Sequence, residues 1–199
     1  MIQYSTTHRT NDMTDIVTQA GATAYLLIYT GAPPANCAAA ATGTLIVALP
    51  CSATFGTVAS GVLTANAITG TATAAAGTPG YWRLCTSSAG TTCVAQGLCY
   101  PTSTLATSAA TASGNVLTFT ATSPTVAGQT VTGTNIPAGT YALDVTSTTV
   151  TLSQNVTSTG VASGATITFG GDLDIGVSGS VPSGTVLSVS SLTLTANGA

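Results

Sequence analysis

The stretch "YWRLCTSSAGTTCVAQG", Tyr81 to Gly97, holds two β-forming runs, 81–86 and 92–97, on either side of the small residues "SSAG". Runs this close, joined by a loop of hairpin size, pair as antiparallel neighbours. Side chains alternate along a strand, so Tyr81 and Arg83 share one face while Trp82 and Leu84 share the other. Trp82 and Leu84 therefore read as core. Arg83 reads as facing outward, toward a partner or a carboxylate such as Asp172 or Asp174.

The same alternating pattern extends outward from this hairpin. "AYLLIYT" (24–30), "GTLIVAL" (43–49), "GVLTANAIT" (61–69) and "TVLSVSSLTLT" (185–195) are further strands, the last with no wholly apolar face and a bulge expected near Ser190 and Ser191. One helix stands before them, "TNDMTDIVTQAG" (10–21). Thr10 or Asn11 caps it, Asp12 and Asp15 sit near its positive start, and Gly21 ends it. Met13, Ile16, Val17 and Ala20 give it one apolar face. The fold class is mainly β, an antiparallel sandwich or jelly-roll-like domain with one N-terminal helix.

Around residue 102 the texture changes to "TSTLATSAATASG", which has little to bury. A second set of short strands follows at 116–122, 129–134, 140–147, 149–154 and 165–170, with Asp144 on an exposed strand position. The expected organisation is a host domain, 1–105 plus 171–199, interrupted by a small all-β module, 106–170, of about 65 residues and near the lower limit for a self-supporting core.

Charged residues make up only 4% of the 199-residue chain: there is no lysine, the two basic residues are Arg9 and Arg83, and the net charge is −3. Nucleic-acid binding is excluded as an expectation, because phosphate neutralisation needs clustered basic side chains. A membrane partner is also not expected. No charge occurs from residue 16 to 82, yet Gly, Pro, Thr and Asn break every apolar run far short of the roughly 20 residues of a spanning helix. The start of the chain lacks the pattern of a secretory signal, which predicts a soluble protein made in a cytoplasm. The five cysteines (37, 51, 85, 93, 99) are odd in number and contain no C-x-x-C, so they read as small core residues rather than a disulfide framework or a zinc site.

The blocks "AYLLIYTGAPPANCAAAATGTLIVAL" (24–49), "GVLTANAITGTATAAAGTPGYWRLCTSSAGTTCVAQG" (61–97), "GDLDIG" (171–176) and "VPSGTVLSVSSLTLTA" (181–196) resemble a family of small structural proteins of tailed bacteriophages. Its members are encoded beside the major capsid protein, some of them head decoration or cement proteins. The resemblance covers 10–101 and 171–197. In the family the strand ending in "AQG" runs almost directly into the "DL" strand, so the intervening module looks like an insertion. Its "VTGTNIPAGTYALDVTSTTVTLSQ" (131–154) resembles β modules that recur in phage capsid, decoration and tail proteins.

Catalytic chemistry finds little footing. His8 is the only histidine, placed before the helix beside Arg9, and no G-x-S-x-G elbow or phosphate-binding loop occurs. Asp172 and Asp174 share a strand face and are the candidate pair for a cation, but the third acidic ligand and closing glutamate of a calcium loop are missing. No catalytic residue and no cofactor are expected, and the pair reads as the polar face of a re-entering strand. Arg9, Tyr81, Arg83, Asp172 and Asp174 are the candidate interface residues. The expected function is a virion decoration protein, not an enzyme, partnered by the major capsid protein and by its own copies, as a trimer by analogy. The alternative is a tail-fibre or receptor-binding component whose module contacts the host cell.

Overall fold

The structure is a computed structural model that describes residues 4–68, 72–99, 103–122, 125–170, 173, 180–189 and 192–196. It is mainly β, with one N-terminal helix and four antiparallel sheets among the described residues. The chain divides into two compact units, Met1–Cys99 with Asp172–Ala199, and Tyr100–Gly171.

The first unit begins with helix α1 (Thr6–Ala20). It starts a turn earlier than the sequence predicts, because Ser5 is the cap and its Oγ accepts the His8 backbone N–H at 3.2 Å. Asp12 and Asp15 are consequently mid-helix residues, and His8 lies inside the helix. Gly21 does end it, at φ 67°, donating to the Val17 carbonyl. Met13 and Ala20 are buried, with Ile16 and Val17 packed against the same core.

Strands β1 (Tyr25–Thr30), β2 (Leu45–Pro50), β3 (Gly56–Ala59), β4 (Val62–Ala65), β5 (Pro79–Cys85) and β6 (Cys93–Leu98) follow. β1, β2, β5 and β6 form one sheet in the order β2-β1-β5-β6, and the hairpin read from 81–97 is the β5–β6 pair. β3 was not apparent from the sequence. It is joined to β4 through Ser60 (φ 51°) and Gly61 (φ 80°), a two-residue turn with both residues left-handed, and Ser-Gly is the signal that marks it. β13 (Thr193–Thr195) completes the second sheet, β13-β4-β3.

The main core lies between these sheets. Leu26, Ile28, Trp82 and Leu84 from the larger sheet and Leu63 and Ala65 from the smaller belong to one buried cluster. Among the described residues of the predicted strand 185–195, Val186 and Val189 make isolated bridges and only 193–195 is regular. The bulge expected at Ser190 and Ser191 falls outside the described residues.

The second unit contains β7 (Ser103–Ala106), β8 (Val116–Thr118), β9 (Thr130–Gly133), β10 (Ala142–Val145), β11 (Thr149–Leu152) and β12 (Thr166–Gly170). All of β7 but Ala106 lies within the segment the sequence assigned to the host domain. It pairs with β12, and its alternation of half-buried and exposed residues is why the run reads as having little to bury. The two sheets, β10-β11-β8 and β7-β12-β9, are linked at both edges, by Thr107 bridging Phe119 and Thr130 bridging Tyr141. Six strands thus close into a small barrel, which leaves no free sheet edge. Its interior holds Leu117, Phe119, Val131, Val150, Leu152, Ile167 and Phe169, with Phe119 and Phe169 meeting edge to face at 5.7 Å.

Candidate functional site

The larger sheet of the first unit is buried on both faces. Alternation sends Leu26, Ile28, Trp82 and Leu84 into the main core, and it sends Leu27, Tyr29, Tyr81 and Cys85 to the opposite face, where they are buried too. Gly90 of the β5–β6 loop lies against Leu27 and Tyr29, and the loop 31–44 between β1 and β2 covers the Tyr81 and Arg83 side of this face. Thr30 closes its base, donating its N–H to the Thr44 carbonyl at 3.0 Å while its Oγ1 accepts the Thr44 N–H at 2.9 Å. Gly43, at φ 70°, could not carry a side chain, since a Cβ there would meet the Thr30 carbonyl oxygen at 2.1 Å.

Four side chains of the sheet hold this loop. Arg83 Nη2 donates to the carbonyls of Cys37 at 2.6 Å and Ala39 at 3.0 Å. The Tyr81 hydroxyl donates to the Thr42 carbonyl and accepts the Thr42 N–H at 2.8 Å. Gln96 Nε2 donates to the Pro34 carbonyl at 2.7 Å. Cys93 is bonded to Cys37, with a Cα–Cα separation of 5.2 Å. Tyr29 and Tyr81 stack beneath the loop at 5.1 Å.

Several expectations are corrected by this arrangement. The shared face of Tyr81 and Arg83 is as predicted, but both are buried, Arg83 to 2% exposure, so neither side chain faces outward. Arg83 takes the Cys37 and Ala39 backbone carbonyls as partners, while the carboxylates expected for it, Asp172 and Asp174, lie outside the described residues. Cys37 and Cys93 form a disulfide rather than serving as separate core residues. "GAPPANCAAAATG" contains no alternating pattern, so nothing in the sequence marks it as a cover for a sheet.

Burial shapes the chemistry of this face. Desolvation pushes the Tyr29 hydroxyl up, reinforced by Cys85 and Tyr81 and opposed by the Arg83 charge. Desolvation likewise raises the Cys85 thiol, again against Arg83. Cys51, beside the main core, is pushed up to about 12 by burial, its hydrogen bond to the Leu26 backbone acting in the opposite sense. Raised thiols are poor nucleophiles at neutral pH.

The remaining predicted site residues are dispersed. Arg9 is half-buried on α1 and lies against Gly61, where a Cβ would approach its own Cβ to 2.8 Å. Exposed His8 stacks on Tyr4 at 4.7 Å and stands 3.6 Å from Asp12, a helix-surface pair one turn apart. Asp172 and Asp174 lie outside the described residues. Among the described residues no group of three His, Cys, Asp or Glu side chains is placed to hold a metal, and no helix is long and apolar enough to cross a membrane.

The second unit offers surface rather than reactive groups. A cleft of about 510 Å³ at the barrel end is lined by Thr111, Thr134, Asn135, Thr159, Gly160 and small apolar residues, none of them titratable. On the outer face of β10-β11-β8, Val116, Tyr141 and Leu143 are exposed at 44%, 47% and 51%. Val116 lies opposite Thr151, and Thr151 opposite Asp144, so apolar and hydroxyl side chains share one solvent-facing sheet. No family model matches the chain, and no curated protein or solved structure matches it.

Proposed function

We propose that the protein is a structural component of a tailed-phage virion, a decoration or cement protein that binds the outside of the head and reinforces contacts between capsomers. The observation that carries this reading is the surface of the second unit. Asp144 is the only charged residue between 100 and 171, and the exposed apolar side chains Val116, Tyr141 and Leu143 stand on one sheet face among threonines. Such a face has little charge to desolvate and short side chains that lose little entropy on ordering, which suits close packing against other protein.

The blocks that carry the phage resemblance add support. Those described fall in the first unit, and Leu173 donates its backbone N–H to the Leu98 carbonyl at 3.3 Å. The chain therefore leaves the first unit after β6 and re-enters it alongside the same strand, as an insertion between neighbouring strands requires. In the proposed role the first unit grips the major capsid protein and the barrel projects. Cohesion then comes from added buried area, multiplied over symmetric copies of the chain, trimers at local three-folds being the simplest arrangement.

The test is copy number and position in purified particles, by quantitative mass spectrometry and cryo-EM. Many copies on empty heads are expected. A few copies that depart with detached tails would overturn the reading in favour of a tail-fibre or receptor-binding component.

A further inference from the structure

We propose that Cys85 is an internal exchange thiol for the Cys37–Cys93 disulfide, so that the loop 31–44 has a covalently locked state and a released state. Three cysteines meet on the covered face of the larger sheet. Cys85 ends β5, Cys93 starts β6, and the two are register partners across the hairpin. Cys37 comes from the loop above.

A bulge creates this meeting. In β6, Ala95 faces Leu84, and strict alternation would set Val94 opposite Cys85. The register instead shifts between Leu84 and Cys85, so that Val94 packs with Ala95 against the main core and Cys93 turns to the outer face. Partners across an antiparallel pair have Cα atoms about 4.5–5.5 Å apart, inside the range of about 4.4–6.8 Å that a disulfide spans. Cys93 is therefore within bonding reach of two thiols, one from the loop and one from its own sheet.

The step balances without an external oxidant. The Cys85 thiolate attacks Cys93 Sγ, the Cys85–Cys93 bond forms as Cys37–Cys93 breaks, and Cys37 leaves as a thiolate that takes up the proton Cys85 gave. The number of disulfides is unchanged. Cys85 is faced by Tyr25, its register partner on β1, by Tyr29 from the same strand, by Tyr81 and Arg83 from its own strand, and by Cys93 from β6. Burial raises the Cys85 thiol, which keeps it protonated and preserves the locked state at neutral pH. After exchange the loop has no covalent tie and is held by the Arg83, Tyr81 and Gln96 hydrogen bonds and by Thr30 at its base, so that it becomes free to open about that base.

Two arms test this on the full chain. Folded wild type is held in excess iodoacetamide at about pH 8.5, where exchange is favoured, then digested with pepsin without reduction. The expected result is label accumulating on Cys37, with the peptides containing Cys85 and Cys93 joined, and loss of that label in Cys85→Ser. Equal labelling of Cys37 in both proteins overturns the proposal. In the second arm, air-oxidised Cys37→Ser is expected to carry a Cys85–Cys93 bond, and recovery of both as thiols from folded protein overturns it. Should Cys37→Ser fail to fold, the wild-type arm decides alone.

Discussion

In the first unit one long loop is held over a sheet by a disulfide, a buried guanidinium and a tyrosine hydroxyl. In the second unit the buried polar side chains are uncharged: Thr107 donates to the Ala162 carbonyl, Thr140 to the Pro137 carbonyl, Thr122 to the Thr146 carbonyl, and Gln129 accepts the Val126 N–H. The contrast follows from closure. In a barrel with no free edge single neutral hydrogen bonds suffice for the loops, within one turn for Thr140 and Gln129 and between distant segments for Thr107 and Thr122. An open sheet with a large apolar outer face needs a lid, and a lid of residues that favour no regular structure must be tied down at several points.

The comparison predicts where damage stays local. Phe169→Ala removes a wholly buried ring from the barrel and should cost the second unit about 3–5 kcal/mol. Hydrogen exchange should then rise across 103–170 while β1 and β5 keep their protection. A loss of protection spread equally over both units would show that the barrel core also supports the first unit. Removing the disulfide as Cys37→Ser/Cys93→Ser should do the reverse. The bond spans 56 residues of sequence, and its loss is expected to destabilise the first unit by about 2–4 kcal/mol. Trp82, the only tryptophan, lies in the core of that unit and reports the change by fluorescence in urea titrations.

How much of this was legible beforehand depended on periodicity. The helix, the β5–β6 hairpin and the alternation that buries Trp82 all follow from side-chain spacing, as does the second run of strands. Spacing says which residues share a face and nothing about what lies above that face. Spacing therefore puts Arg83 and Tyr81 on the right face of the sheet and misses their burial, because their cover comes from a loop of Ala, Pro and Gly whose contacts lie 39 and 46 positions upstream. The Cys37–Cys93 bond was illegible for the same reason, compounded by a bulge at Val94 that reverses the face of Cys93. Strand β7 escaped notice because its half-buried pattern carries no apolar run.

Arg83 sharpens the comparison at the next level of effect. Arg83→Met retains length and apolar contact but leaves the Cys37 and Ala39 carbonyls without their donor, at a cost of about 1–3 kcal/mol. Because the disulfide holds the same loop, the two losses should not add. The triple variant Cys37→Ser/Cys93→Ser/Arg83→Met should show a coupling of at least about 0.5 kcal/mol against the separate effects. Strict additivity would mean that the guanidinium and the disulfide stabilise independent parts of the unit.

The smallest effect, taken per pH unit, is a dependence on alkaline pH expected of the first unit. The Cys51 thiol is pushed from 9.0 to about 12 in the folded protein. Below about pH 9 both folded and unfolded chains hold this proton, and stability does not depend on it. Between pH 9 and 12 the unfolded chain releases the proton and the folded chain keeps it, so stability falls with rising pH, by at most about 1.4 kcal/mol per unit for one group. Tyr29 and Cys85, also raised by burial, act in the same direction. The second unit contains no cysteine. Urea midpoints followed by Trp82 fluorescence should decline above pH 9, and Cys51→Ala should flatten that decline in part, leaving the share due to Tyr29 and Cys85. An unchanged slope in Cys51→Ala would assign the whole effect to the covered face of the sheet, where the loop, the disulfide and Arg83 already meet.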